Sequence, residues 1–432
     1  MAGGAKGTFR SFANRDFRLW VGASFISNIG TWMQGTAQTW LVLTELSDHS
    51  ASAVGIVTAL QFLPQVLLVA VTGTLADHVD RRKLLMAIQC GMALVAIILG
   101  VVTISGVVQL WHVYLLAFCL GCCSAFEAPA RHSYVAELVG DGDIGNAVAL
   151  NGTAFQLART IGPAAAGLSI ALIGTGWVFI ANALSSGVVI AVLMRMRAVD
   201  RHAHQPSGGG RGEIRLLDGF RYVRSRPDIR AVFMMLFFMG TLGMNFGVFI
   251  SVMAVAVFHK GAAEYGLLTS VMAIGSVTGA LLAARRERPF MRHLIGGSTL
   301  FGGAMVLAAL APGFLLFALF LMMIGASAQT MLTSANGLVQ LSTDRAMRGR
   351  VMAIHVAILL GGLPIGAPLT GWVADHVGPR WAMGLGASAG FIAALIGLAY
   401  MVRVRGLRIV WARGRPHVEI ARDPYAEDRL IA

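Results

Sequence analysis

Residues 73–83 read Gly73-Thr74-Leu75-Ala76-Asp77-His78-Val79-Asp80-Arg81-Arg82-Lys83. An apolar run ends there in small residues and an aspartate. Three cations follow, and a second apolar run begins at Leu84. A tight charged turn between two runs of membrane-crossing length is a poor setting for a soluble active site. It suits a membrane face, where helix ends, carboxylate and cations interlock. The reading is a hinge whose charges hold one conformation of a membrane protein.

The rest of the chain fits that reading. Of 432 residues, 56% are hydrophobic and 13% are charged, where a soluble chain carries about 25% charged residues. Apolar runs of about 20 residues, enough to cross roughly 30 Å of hydrocarbon, recur from end to end. The expected fold class is an all-α membrane protein with twelve transmembrane helices. Spans are expected near residues 19–43, 51–75, 84–105, 110–130, 144–172, 177–194, 229–257, 263–284, 294–310, 313–341, 351–373 and 381–402.

Two six-helix halves are legible. Residues 146–167 (NAVALNGTAFQLARTIGPAAAG) match 350–371 (RVMAIHVAILLGGLPIGAPLTG), and Gly73-Thr74-Leu75 corresponds to Gly279-Ala280-Leu281, each followed by a cationic loop. Parallel repeats of this kind belong to rocker-switch transporters. The expected organisation is an N-tail at 1–17, an N-terminal bundle at 18–197, a linker at 198–226, a C-terminal bundle at 227–402 and a polar C-tail at 403–432 without a folded domain. The linker opens with a Gly-, Ser- and Pro-containing stretch. It closes on an amphipathic helix, with Leu216, Leu217, Phe220 and Val223 at helical spacing beside Arg215, Arg221 and Arg224.

The net charge of +13 sits mainly in tails and loops of one side, while the other side holds only Lys260 and Arg380. By the positive-inside rule both termini are expected in the cytoplasm, with the protein in the cytoplasmic (inner or plasma) membrane. Nucleic acid is not expected as a partner. The basic N-terminus lacks a cleavage-site pattern and reads as no secretory signal. Cys119-Leu120-Gly121-Cys122-Cys123 lies inside an apolar run with no second CxxC and no histidine cluster, so no metal or cofactor is expected. Neither a Walker motif nor a hydrolytic constellation such as GxSxG or HExxH occurs, which disfavours an ATP-driven pump or a membrane-embedded enzyme.

The charged turn resembles the signature loop between the second and third helices of the major facilitator superfamily, GxLaDrxGrkxxl, with Asp80 where a second glycine is usual. Further stretches resemble the branch typified by the enterobactin exporter and related drug effluxers. They are Asn14-Arg15-Asp16-Phe17-Arg18-Leu19-Trp20, Gly30-x-Trp32-x-Gln34, Trp40-Leu41-Val42-Leu43, Gln61-Phe62-Leu63-Pro64, Ala125-Phe126-Glu127-Ala128-Pro129-Ala130-Arg131 and Asn146-Ala147-Val148-Ala149-Leu150-Asn151. That branch more often has Asp at the position of Glu127. Ile161-Gly162-Pro163-Ala164-Ala165-Ala166-Gly167 resembles the fifth-helix motif associated with exporters, whose marked residues here are Gly162, Pro163 and Gly167. The resemblance implies a secondary transporter working by alternating access. It favours proton-coupled efflux of a small amphipathic molecule, drug or siderophore-like, by a monomer in the lipid bilayer. An importer, or a non-transporting receptor or scaffold on the same fold, is the alternative.

Few polar residues lie deep in the spans, and these are the candidates. Gly73, Asp77, Arg81 and Arg131 are read as a conformational latch, with Asp77 facing Arg81, Arg131 or the N-terminal end of the eleventh span near Arg350. Glu127 and Arg159 are candidates for proton coupling. Arg159 stands roughly 22 Å along its helix from Ile144, where a cation faces a polar cavity or an acid and would serve to bind an anion. Asn28, Trp32, Gln34, Gln38, Asn151, Gln156, Asn245, Gln329 and His355 are candidates for a substrate cavity, although for each one alone interhelical hydrogen bonding is the plainer role.

Overall fold

The computed structural model describes residues 7–68, 79–139, 141–196, 216–286, 289–412 and 415–420. Six long helices form the first half: α1 (Arg15–Trp40), α2 (Ala51–Leu67), α3 (Arg81–Ile104), α4 (Leu110–Leu138), α5 (Ile144–Ile173) and α6 (Thr175–Arg195). A short helix, α7 (Leu216–Ser225), precedes the second half: α8 (Pro227–Val257), α9 (Ala262–Ala284), α10 (Met291–Ala309), α11 (Phe314–Ser342), α12 (Arg348–His376) and α13 (Pro379–Arg403). Each of the twelve expected spans therefore holds a helix among the described residues. Among the described residues nine are long and apolar enough to cross a membrane unaided; α1, α2 and α10 are shorter or more polar.

Local chemistry sets the helix ends. Asn14 caps α1 by accepting from the backbone N–H of Asp16 and Phe17, and its own amide donates to the Leu138 carbonyl at 2.6 Å. Asp80 caps α3 through the N–H of Arg82 (3.0 Å) and Lys83 (3.2 Å). The aspartate at the superfamily loop's second-glycine position thus begins the next helix. On α7, Val223 is buried and Gly219 packs against Arg350 and Ile354 of α12, while Phe220 is exposed.

The C-terminal tail departs from expectation. Gly406, at φ +63°, turns the chain after α13. An antiparallel hairpin follows, β1 (Leu407–Ala412) with β2 (Arg415–Ile420), pairing Leu407 with Ile420 and Ala412 with Arg415. Alternation around Ile409, Trp411, Val418 and Ile420 is weak in so basic a tail, which is why composition alone reads as polar coil.

Within each half the helices pack broadly, α1 on α5 and α6, α3 on α4 and α6, α9 on α11, and α10 on α11 and α13. Between halves α2 packs along α12 and α5 along α9. Both seams lie toward the end opposite the basic N-tail, here the far end. Glycine lets the backbones touch there. A Cβ on Gly55 would overlap the Ala367 carbonyl oxygen, and one on Gly371 the Ala51 carbonyl oxygen. On the second seam Gly167 abuts the Ala262 carbonyl, and Gly266 abuts that of Pro163. The Ala164 N–H donates to Ser270 Oγ at 3.0 Å, and Trp40 stacks on Tyr265 with ring centroids 6.1 Å apart. Away from the seams, Gly35 of α1 and Gly152 of α5 are exposed, and a Cβ on either would meet nothing within 4 Å.

Two helices of the second half are discontinuous. α8 carries π turns at Met239–Gly243 and Met253–Val257, with a break between them at Asn245. α12 is interrupted at Gly362, just before Pro364, and Gly362 and Gly366 press on the backbone around Thr241. Asn245 bridges the two irregular regions, donating to the Thr241 carbonyl at 2.8 Å and to Thr370 Oγ1 at 3.1 Å. Transporters place such broken helices near their binding sites.

Candidate transport site

One polar group is built wholly inside the first half. Pro129 lies within α4, and Glu127 and Arg131 flank it at i and i+4, so their side chains share a face and form an ion pair. Arg131 also donates to Asn28 Oδ1 of α1 at 3.2 Å. Together with Trp20, Ser24, Ser27, Leu85, Gln89 and Val189 these residues line a small cavity. It has room for a water-sized molecule and for nothing the size of a drug. Gln89 is buried there, and its Oε1 lacks a hydrogen-bond partner among the described residues. The cavity is too small to hold an organic substrate.

A second group lies between α1 and α5. Trp32 of α1 meets Phe155 of α5 edge to face, with centroids 5.9 Å apart. Arg159 lies over the Trp32 ring at 5.5 Å, and Arg131 over the Phe155 ring at 5.8 Å. The four side chains form a ladder, cation on ring on ring on cation. Arg131 is neutralised by Glu127; among the described residues Arg159 has neither an ion pair nor a hydrogen bond. Trp32, Phe155 and Arg159 all keep part of their surface exposed.

The remaining candidates fall into two sets. Gln34 is buried and accepts from Asn182 of α6 at 2.5 Å, tying the first half together. Gln38 and Asn151 are buried as well. His355 is buried against Phe233, ring centroids 6.0 Å apart. With Asn28 and Asn245, these six are buried in this conformation. Gln156 and Gln329 are partly exposed, and Gln329 donates to Thr333 Oγ1 at 3.3 Å.

The helix-5 motif serves two packing faces. Gly162 admits the Trp32 side chain from α1, while Pro163 and Gly167 meet α9 of the other half. Of the hinge residues, Gly73 and Asp77 lie outside the described residues. Arg81 pairs with Glu137 of α4, and Arg82 donates to the Met194 carbonyl at 3.1 Å. Arg131 pairs with Glu127 and donates to Asn28.

Reading the sequence missed one contact of evident consequence. Asp375, in the last turn of α12, accepts from the backbone N–H of Ala51 (2.7 Å) and Ser52 (2.9 Å) and from Ser50 Oγ (3.1 Å). A carboxylate of the second half thereby completes the N-terminal cap of a helix in the first. The signal was present: Val373-Ala374-Asp375-His376-Val377 echoes Leu75-Ala76-Asp77-His78-Val79. Among the described residues no group of His, Cys, Asp or Glu is arranged to hold a metal ion. The four cysteines are free, and Cys123 packs against Gly91 as a small residue at a helix contact.

Comparison with known proteins agrees with this architecture. The family model described as "Transmembrane secretion effector" matches residues 6–412. The staphyloferrin A transporter of Staphylococcus aureus is 24% identical over 363 residues, covering 84% of this chain and 90% of that protein. The enterobactin exporter EntS of Citrobacter koseri is 26% identical over 400 residues, covering 91% of this chain and 92% of that protein. Among solved structures, an inward-facing, unoccupied bacterial homolog of the human lysosomal transporter Spinster superposes with a TM-score of 0.69 at 14% identity. It covers 89% of this chain and 95% of its own. The nucleoside transporter NupG gives 0.69 at 13% identity, over 89% and 98%. These two show the shared fold. With its two six-helix halves and a family match over nearly its whole length, the chain is a multi-pass membrane transporter, not an enzyme, and belongs to the transmembrane secretion effector family of the major facilitator superfamily.

Proposed function

We propose that the protein exports a small amphipathic molecule, drug or siderophore-like, from the cytoplasm by proton-coupled, rocker-switch alternating access. Residues 18–197 and 227–402 are the two rocking bundles, and 198–226 is the link between them. The protein sits as a monomer in the inner membrane with both termini in the cytoplasm, so the basic end faces inward. The observation that carries this reading is the placement of the seams. The halves touch through bare glycine backbone at the far end, while Gly35, Gly152 and the Trp32–Arg159 face look onto open space. That arrangement suits a cleft closed to the outside. The named activities of the two relatives, staphyloferrin A transport and enterobactin export, support a siderophore-like cargo and outward direction.

In this scheme Glu127 is the proton site. Protonation removes its charge, releases Arg131, and so alters the cation–aromatic ladder that borders the cleft. Gly73, Asp77, Arg81 and, once released from Glu127, Arg131 act at the basic end as the latch of the opposite, outward-open state. Asp375 holds the state with the far end closed. The test is reconstitution into proteoliposomes with an imposed pH gradient, using labelled enterobactin and staphyloferrin A as probes together with a macrolide and a lipophilic cation. Gradient-dependent movement of at least one probe is expected. If none moves, the export reading fails.

A further inference from the structure

Arg159 is the most exceptional charge in the molecule. It stands at mid-helix in α5, roughly 22 Å from Ile144 at 1.5 Å per residue. A guanidinium at that depth is retained only against a compensating group. Here the compensation is incomplete. The Trp32 ring, 5.5 Å from Cζ, engages the cation's face, whereas the five N–H donors at its edge have no hydrogen-bond partner among the described residues. The ladder it belongs to carries two guanidinium groups and one carboxylate, Glu127, which is already committed to Arg131. One positive charge therefore remains, and it is located at Arg159.

Its surroundings say what that charge is for. Pro163, one turn further along α5, has its carbonyl against Gly266, and Ala164 bonds Ser270. Arg159 thus lies one turn of α5 from the far-end seam, on its basic side. Gly152, on the same helix two turns nearer the basic end, meets nothing within 4 Å of a Cβ. The approach to Arg159 from the basic end is thus free of side chains at that position, and it is bordered by the partly exposed Trp32 and Phe155 rings.

We infer that Arg159, Trp32 and Phe155 form the substrate station of the cleft, and that the station takes an organic anion: a carboxylate or phenolate carried on a planar ring. The guanidinium edge pairs with the anionic oxygens, and the two rings contact the ligand's ring. A lipophilic cation is repelled at this station. The inference rests on the export reading for its biological setting, but its test does not depend on transport.

The probes are benzoate, benzamide and benzylammonium, one ring with three charges, measured by equilibrium dialysis against the full-length protein in lipid nanodiscs, with empty nanodiscs as control. Benzoate is expected to bind about tenfold more tightly than benzamide, the worth of one charge-assisted hydrogen bond, and benzylammonium more weakly than either. Arg159→Gln should erase the preference for benzoate over benzamide. Arg159→Lys should restore part of it. Trp32→Leu should weaken benzoate and benzamide alike. Equal affinities for benzoate and benzamide in the unmodified protein, or an unaltered preference in Arg159→Gln, overturns the proposal. Should Arg159→Gln fail to fold, the charge series on the unmodified protein decides alone. Charge-selective binding without gradient-driven transport would leave this station standing and remove the export reading; transport without charge-selective binding would do the reverse.

Discussion

The Asp375 carboxylate accepts the backbone N–H of Ala51 at 2.7 Å, so the last turn of α12 caps the first turn of α2 across the boundary between the two halves. Ser52 adds a second N–H at 2.9 Å, and Ser50 Oγ accepts from Ala53 at 3.3 Å. The first-turn donors of α2 are thus satisfied jointly by the two halves. Separating the halves at this end returns Ala51, Ser52 and the carboxylate to water. The contact is therefore a conformational weight, placed where a helix dipole and an acid favour one another.

Asp375→Ala removes that weight. Losing a cap of this kind costs about 1–2 kcal/mol, which is roughly a five- to thirtyfold change in population. The far-end-closed state should lose population by that factor, read as increased labelling of a cysteine placed at Ser52 by a membrane-impermeant thiol reagent. Labelling equal to that of the parent would show that the cap does not weight the equilibrium.

The glycine seams predict steric blockade. Gly371→Val places a side chain into the Ala51 carbonyl, and Gly167→Val does the same at Ala262. Overpacking of this order costs about 1–3 kcal/mol. Each variant should reach the membrane at normal levels and lose most of its transport by failing to close the far end. Normal transport in both would mean that the seams separate rather than seal.

Glu127→Gln should abolish uphill, gradient-driven movement and retain exchange of labelled for unlabelled substrate across the same vesicles. The Glu127–Arg131 pair sits on a water-sized cavity that holds no organic substrate, and it meets the ladder only where Arg131 lies over the Phe155 ring, at the end away from Arg159. Coupling and binding are therefore separable there. Loss of exchange along with uphill movement would assign Glu127 to substrate binding instead.

Asp77→Asn probes the other gate. Transport should fall with membrane abundance unchanged, because the acid serves the basic-end latch and not insertion. Undiminished transport would leave the charges of residues 77–83 with topology as their whole role.

The sequence reading succeeded where one helix contains the whole signal. Runs of apolar residues mark all twelve spans because membrane thickness sets their length. Glu127 and Arg131 pair because four residues make one turn. The twofold repeat is visible because Ile161-Gly162-Pro163 and Pro364-Ile365-Gly366 recur in corresponding helices. Contacts between distant segments were not legible. Nothing local says that Gln34 meets Asn182, that Arg81 meets Glu137, or that Asp375 meets Ala51. The last was obscured by its own likeness to the charged turn. The likeness covers five residues, but Asp375 closes α12 on the second half and caps α2 of the first. Six of the nine cavity candidates are buried, because a polar residue in a span is as readily used for interhelical bonding as for lining a cleft.

The central claim is that the halves rock, closing at one end as they open at the other. Paired spin labels measure this directly. One pair joins Asp48 to Val377 at the far end, and another joins Lys83 to Arg345 at the basic end; all four positions are exposed. On protonation or on addition of a transported ligand, one distance should lengthen as the other shortens, with both following the same midpoint. Distances that change together, or that stay fixed under every condition supporting transport, would contradict the account.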